Sequence, residues 1–180
     1  MPGMPATPWE EAAENCHKLG VKRLAVYMSG AAFHRFGMAE APVTYDDTMR
    51  EIEDLEKKAQ FFAKEGIDFM FHNHDVELTT TFSGIPILDM MYINTEALKF
   101  ELDIGWVTYG GKCPVDYIHR FGNRISALHI KDFADGWVLQ DIPGKEVSKK
   151  PMPRFTTPGT GRVDLLGCLK AGAELDIEWA

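Results

Sequence analysis

Short apolar runs of strand character alternate along this chain with segments whose apolar residues recur every three or four positions, about five times over. Alternation of that kind predicts a parallel sheet wrapped by helices, because parallel neighbours need a crossover connection that is usually helical. The strand segments are VKRLAVYMSG, IDFMFHNH, KFELDIGW, ISALHIKDF and a last one only begun at LDIEWA. Between them, TPWEEAAENCHKLG reads as a helix with Thr7 as N-cap, Pro8 at the first helical position and Gly20 as the stop. Thr44 and Asp47 open a long helix with Ile52, Leu55, Ala59 and Phe62 on its inner face and Gly66 at its end. Further helices are expected inside IPILDMMYINTEA, from Pro114 to about Phe121, and in VDLLGCLKAG, while residues 134–162, rich in Pro and Gly, read as a long loop. A closed barrel and an open sheet both fit this pattern.

Composition narrows what the fold serves. The 180 residues, 45% of them hydrophobic, suffice for one sizeable core, so a single domain over residues 1–180 is expected. A net charge of −8 without any Lys/Arg cluster argues against a nucleic-acid partner, which needs concentrated positive charge. No segment approaches the roughly 20 apolar residues of a membrane span, and the start MPGMPATPWEEA lacks the features of a signal peptide. Cys16, Cys113 and Cys168 are far apart and form no CxxC pair, which fits a reducing cytoplasm rather than a disulfide framework or zinc knuckle.

The chemistry is concentrated where three strands end in polar residues: FHNHD, ELDIGW and LHIKDF. In parallel α/β folds the carboxyl ends of the strands are where ligands bind. His72, His74, Asp103, His129 and Lys131 are therefore candidates for one pocket, recurring at about one βα unit (72 to 103, 103 to 129). On a strand, His72 and His74 point to one side and Asn73 to the other; His129 and Lys131 also share a face, as do Glu101 and Asp103. Imidazole nitrogen with carboxylate oxygen suits Mn²⁺, Co²⁺, Zn²⁺ or, less readily, Mg²⁺. Each residue also has a structural reading: a hydrogen-bonded core histidine, a loop cap for Asp103, a rim salt bridge for Lys131 and, lower down, for Glu101. Two buried imidazoles on one face, however, are costly without partners. Phe133 reads as packing, and Trp106 either as packing or as a wall for the apolar face of a sugar ring. The acidic run MREIEDLEKK reads as a solvated helix face, and Gly159-Thr160-Gly161 is too short a glycine signal for a phosphate cradle.

The phrases GIDFMFHNHDVEL, LKFELDIGWVTYGGKCPVDYIHRF, RISALHIKDF and GTGRVDLLGCLKAG, in this order and spacing, resemble the xylose isomerase-like TIM-barrel superfamily and, within it, the sugar phosphate isomerase/epimerase group. The resemblance implies a partial (β/α)₈ barrel with a divalent metal at its carboxyl end, held in such proteins by a Glu, an Asp, a His and a second Glu from four late strands. By position, His72 stands for the first Glu, Asp103 for the Asp and His129 for the His, whereas His74 resembles a neighbouring base and Lys131 a position often lysine in HNH-bearing relatives. Replacement of the Glu by His leaves open whether His72 or His74 holds the metal. The resemblance also places the start of the chain just before the fourth barrel strand and its end short of the last Glu, with Glu178 too early to serve. Against a barrel of roughly 250 residues this implies a fragment, or a chain completed by another polypeptide, with open edges prone to self-association.

The implied activity is isomerisation or epimerisation of a sugar, sugar phosphate or keto-polyol through a metal-stabilised enediolate, with His74 taking a proton and Lys131 donating to oxygen. A lyase or dehydratase can use the same step. A metal-dependent hydrolase of the amidohydrolase type also carries His-x-His, but on its first strand, and a non-catalytic remnant is a third reading.

Overall fold

The computed structural model describes residues 7–139 and 151–180. Helix α1 (Trp9–Leu19) begins one residue later than expected: Pro8 is the N-cap, without a side-chain cap bond, and Gly20 at φ 68 ends the helix. Strand β1 (Arg23–Val26) is short because Ser29 turns the chain into α2 (Gly30–Arg35), its hydroxyl accepting from the Ala32 N–H. Helix α2 falls in the stretch up to about residue 43, which from the sequence is expected to be irregular. Helix α3 (Tyr45–Lys64) has the expected start: Thr44 and Asp47 form a reciprocal capping box. Strand β2 (Asp68–His72) follows, then α4 (Val76–Thr79), a two-residue hairpin β3 (Thr81–Phe82) and β4 (Ile85–Pro86), and α5 (Ile87–Ile93). The chain continues through β5 (Lys99–Asp103), α6 (Ile104–Tyr109), α7 (Pro114–Phe121) and β6 (Ile125–His129).

The expected loop at 134–162 is in part a second hairpin, β7 (Asp132–Leu139) antiparallel to β8 (Pro151–Thr156); positions 140–150 of that loop lie outside the described residues. Helix α8 (Leu165–Glu174) comes last, capped by Asp164. The segment read as a beginning strand at 175–180 is not one here, though it runs beside β6 with one backbone bond, Leu128 N–H to Trp179 O.

Strands β1, β2, β5 and β6 form one parallel sheet in that order, with helices on its outer face. This is part of a TIM barrel. The outer face is apolar: Phe69, Phe71, Phe100, Leu102, Ile125 and Leu128 pack with Ile52, Leu55, Ala59 and Phe62 of α3 in one core. The inner face is layered. At the amino ends Arg23 donates to Ser126 Oγ, which donates to Asp68; Met70 and Ala127 lie one step higher; His72, Glu101, Asp103 and His129 lie at the carboxyl ends.

One irregularity decides the top layer. Phe100 pairs with Ile125, but Glu101 pairs with Ala127, so Ser126 is an extra residue on β6. With strict alternation from Ile125, Leu128 would turn inward and His129 outward into the helices. The bulge reverses that parity beyond Ser126, sending Leu128 to the core and His129 into register with Asp103. No helix among the described residues is long and apolar enough to cross a membrane.

The bulge carries a test. Deleting Ser126 removes the extra residue and leaves regular alternation from Ile125 to Ala127, with Leu128 still on the core face and His129 still opposite Asp103, so we expect a loss of only about 1–2 kcal/mol, mainly from the hydroxyl's bonds. Ser126→Ala, which keeps the bulge and loses only the hydroxyl's bonds, is expected to cost about 1 kcal/mol; in urea denaturation, a deletion variant about 3 kcal/mol or more less stable than Ser126→Ala would show that the faces of Leu128 and His129 had been exchanged instead.

Candidate metal site at the carboxyl ends of the strands

Asp103 is the centre of the cluster. It is 0% exposed and ends β5, where its Oδ1 accepts from the Trp106 N–H and caps α6. The residue is held from behind by Asn73, whose Oδ1 accepts from the Asp103 N–H at 2.9 Å and whose Nδ2 donates to the Asp103 carbonyl at 3.3 Å. Asn73 points away from the flanking imidazoles, as alternation requires, and spends its amide on joining β2 to β5 beyond the last ladder bonds. The expected capping role and the expected pocket role of Asp103 are thus divided between its two oxygens.

The second oxygen, Oδ2, faces only nitrogen: Lys131 Nζ at 2.8 Å, His129 Nδ1 at 3.3 Å and His72 Nε2 at 3.6 Å. None of the three lies on a regular hydrogen-bond direction to it. His72 Nδ1 is 3.4 Å from His129 Nδ1 and 3.6 Å from Glu101 Oε2. His72, Asp103 and His129 each offer one ligand atom, all within 4.8 Å of one another, the one such group of His, Cys, Asp or Glu among the described residues. Two tetrahedral ligands at the usual zinc distance of about 2.1 Å are about 3.4 Å apart; Asp103 Oδ2 and His129 Nδ1 at 3.3 Å have that spacing, whereas His72 faces Asp103 through Nε2 and His129 through Nδ1, so a single His72 nitrogen joins the other two within the wider limit of 4.8 Å.

His74 stands one step further out. Its ring lies 5.2 Å from that of His72, between Phe36 at 5.2 Å and Trp106 at 5.5 Å, and its buried Nδ1 has no partner. Burial, then the charges of His72, Lys131, His129 and Arg35, push its pKa down to about 3. Burial also lowers the pKa of His129, against the opposing pull of Asp103. Both rings are therefore neutral at pH 7, the form that offers a lone pair. Proximity of His72 holds the Glu101 carboxyl below its ordinary value despite partial burial. Trp106 is 3% exposed with an unpartnered Nε1, and Phe133 packs on Tyr109. The five polar candidates thus meet at one place, with Trp106 as a wall.

The structure adds two carboxylates that the sequence did not single out. Glu77, 0% exposed in α4, accepts from the Ser29 hydroxyl and from the His74 N–H at 2.7 Å, fixing the backbone on which His74 rides. The three-residue step from His74 to Glu77, that of a capping box, was the available signal. Asp132 accepts from the N–H groups of Phe133, Gly159, Gly161 and Val163, at 2.8–3.0 Å. Burial opposes its ionisation, yet the four bonds together hold its pKa below normal. The glycines of Gly159-Thr160-Gly161 therefore cradle a carboxylate of the chain itself.

The match to known proteins decides the family: the model of the xylose isomerase-like TIM barrel covers residues 7–176. The chain belongs to that family. Among curated proteins it is similar to the inosose dehydratase of Geobacillus kaustophilus, 25% identical over 174 residues, covering 91% of this chain and 56% of that one. The inosose dehydratase of Clostridium botulinum is 27% identical over 174 residues, covering 90% and 56%. This chain thus spans about half the length of the curated relatives it matches.

Among solved structures, a sugar phosphate isomerase/epimerase from Parabacteroides distasonis superposes with TM-score 0.67 at 24% identity, covering 95% of this chain and 54% of that one. The probable 3-DHS dehydratase AsbF of Bacillus anthracis gives 0.69 at 13% identity, covering 96% and 60%. The IOLI protein, whose crystal structure holds a zinc atom, gives 0.62 at 18%, covering 93% and 55%. These likenesses show the fold.

Glu77 carries a pH test. Burial pushes its pKa up from 4.5 to about 7, so the folded chain holds this proton more tightly than the unfolded one. The stability it contributes is fully present below pH 4.5 and is lost as pH rises through about 7, a change on the order of 3 kcal/mol. Glu77→Gln keeps an acceptor for Ser29 and His74 and should flatten this part of the profile. Equal slopes for the two proteins between pH 5 and 8 in urea melts would show that Glu77 does not titrate there.

Proposed function

We propose that His72, Asp103 and His129 hold one divalent cation, Mn²⁺, Co²⁺, Zn²⁺ or Mg²⁺, in an enzyme that removes a proton next to the carbonyl of a polyhydroxylated small molecule. The observation that carries this reading is the convergence of two imidazoles and a buried carboxylate within 4.8 Å, beside an unpartnered imidazole nitrogen and an ammonium. Geometry favours His72 over His74 as the ligand, because only His72 reaches both Asp103 and His129. When bound, such a cation supplies Lewis-acid stabilisation of the charge that develops on the carbonyl oxygen and its neighbouring hydroxyl.

The remaining steps belong to the chain. In this reading His74, as a neutral imidazole, accepts the proton from the substrate C–H. Lys131 donates to the substrate oxygen, and Trp106 closes the inner wall and excludes water. Return of the proton to the adjacent carbon, or to the opposite face of the same carbon, gives isomerisation or epimerisation of a sugar, sugar phosphate or keto-polyol. Loss of a β-hydroxyl from the same enolate gives a dehydratase, a second reading favoured by the curated relatives, which are inosose dehydratases. The amidohydrolase alternative fits less well, since β1 precedes the His-x-His strand in the sheet.

Two measurements test this. We expect calorimetry with Mn²⁺ to show one site on the wild-type chain and none on His129→Ala, whose melting temperature should fall only modestly; unchanged binding by the variant would remove His129 from the site, and no binding by either would favour the remnant. Incubation with D-allulose and with an inosose in D₂O should incorporate deuterium next to the carbonyl. Incorporation without loss of water supports the isomerase or epimerase reading, whereas growth of ultraviolet absorbance from a conjugated enone supports dehydration. Neither signal in the metal-loaded protein counts against catalysis by this chain.

A further inference from the structure

Lys131 makes two kinds of contact at once. Its ammonium is 2.8 Å from Asp103 Oδ2 and 5.3 Å from the ring centres of both Trp106 and Phe155. The two rings meet edge to face, 5.6 Å apart at 85°, and form a corner in which a cation is attracted by both π systems. Trp106 is fixed by burial, but Phe155 is brought from β8 and is 48% exposed. Its register opposite Phe133, which packs on Tyr109, sets the two hairpin rings against two residues one turn apart on α6.

The backbone at Lys131 has little freedom. Gly105 of α6 sits so close that a Cβ there would be 2.9 Å from both the Cβ and the carbonyl oxygen of Lys131. The next residue, Asp132, is tied by its four N–H bonds to the 159–163 loop. The mobile part of Lys131 is therefore its side chain beyond Cβ.

A dication on His72, Asp103 and His129 uses Asp103 Oδ2, the atom that Lys131 neutralises here. An ammonium and a dication repel strongly when both crowd one buried oxygen. We propose that Phe155 is a positioning residue for Lys131: with Trp106 it forms a seat that keeps the ammonium beside the site when a divalent cation takes Asp103 from it. Lys131 is thus the internal counter-ion of the metal-free protein and becomes the substrate-facing cation of the loaded one, exchanging one partner while retaining the other. The inference rests on the metal reading above.

The test is a double-mutant cycle on the full chain, stripped with chelator and titrated with Mn²⁺ by calorimetry. Lys131→Met removes the competing charge and is expected to bind Mn²⁺ about tenfold more tightly. Phe155→Leu removes one face of the seat, lets the ammonium move away from the dication and is expected to bind about two- to fivefold more tightly. Phe155→Tyr, which keeps the ring, should bind as wild type, and the double variant should bind as Lys131→Met alone. An equal effect of Phe155→Leu with and without Lys131, weaker binding, or no effect at all, overturns the proposal, as does a tyrosine variant that departs from wild type as far as the leucine one. Binding that shows no coupling sinks only the role of Phe155, whereas no heat from any variant sinks the metal site itself. Circular dichroism melts identify any leucine variant that has lost its fold, and the tyrosine and methionine variants then decide.

Discussion

A carboxylate removed from water must be compensated by the protein, and Asp103 is removed completely. Its two oxygens are divided between a helix start and three nitrogens, and its backbone is stapled to the preceding strand by Asn73. Moving it would uncap α6, unlock β5 from β2 and leave Lys131 without its counter-charge. The cost of leaving such a charge unpaired inside a protein amounts to several kcal/mol. Helix α6, the end of β5 and the Lys131 side chain are therefore held in one geometry by one residue. The same residue supplies the anionic ligand of the proposed cation site, so the element that fixes the local fold also sets the chemistry.

Much of this was legible in the sequence, and the reason is periodicity. Apolar strands ending in polar residues, spaced by one βα unit, are enough to put His72, Asp103 and His129 at the same level of a sheet. The parity of His72 and His74 also follows from two-residue alternation, with Asn73 turned the other way. His129 is different. Its inward direction relative to the start of β6 depends on the extra residue Ser126, and nothing in ISALHIKDF marks a bulge; alternation traced from Ile125 would have turned His129 into the helices.

What stayed hidden depends on contacts distant in sequence. Asp132 is an ordinary residue after Lys131 until Gly159, Gly161 and Val163 return to meet it, and Phe155 lies in a stretch read as loop because its Pro and Gly content masks a hairpin register. The acidic run of α3 was read as solvated. Glu53 and Asp54 fit that reading in exposed pairs with Lys57 and Lys58. Glu51 and Glu56 instead turn to backbone N–H groups of Gly30, Ala97 and Leu98, anchoring the starts of α2 and β5.

The charge balance of the pocket is a physical ground for the proposed dication. The lowered pKa values of His74 and His129 leave those rings uncharged at neutral pH, so they contribute lone pairs rather than repulsion. Asp103 and Glu101 then bring two negative charges against the one positive charge of Lys131. The proposed divalent ion would convert that small excess of negative charge into a small excess of positive charge, the sign that the proposed enolate oxygen beside it would require. Were His129 protonated, the same ion would meet a cation in place of a ligand, and a protonated His74 would have no lone pair left to accept a proton. The burial that depresses the basicity of these rings is thus the physical condition for the site, and it is supplied by the aromatic surroundings: Phe36 and Trp106 against His74, with the second hairpin laid over Trp106 through Phe155.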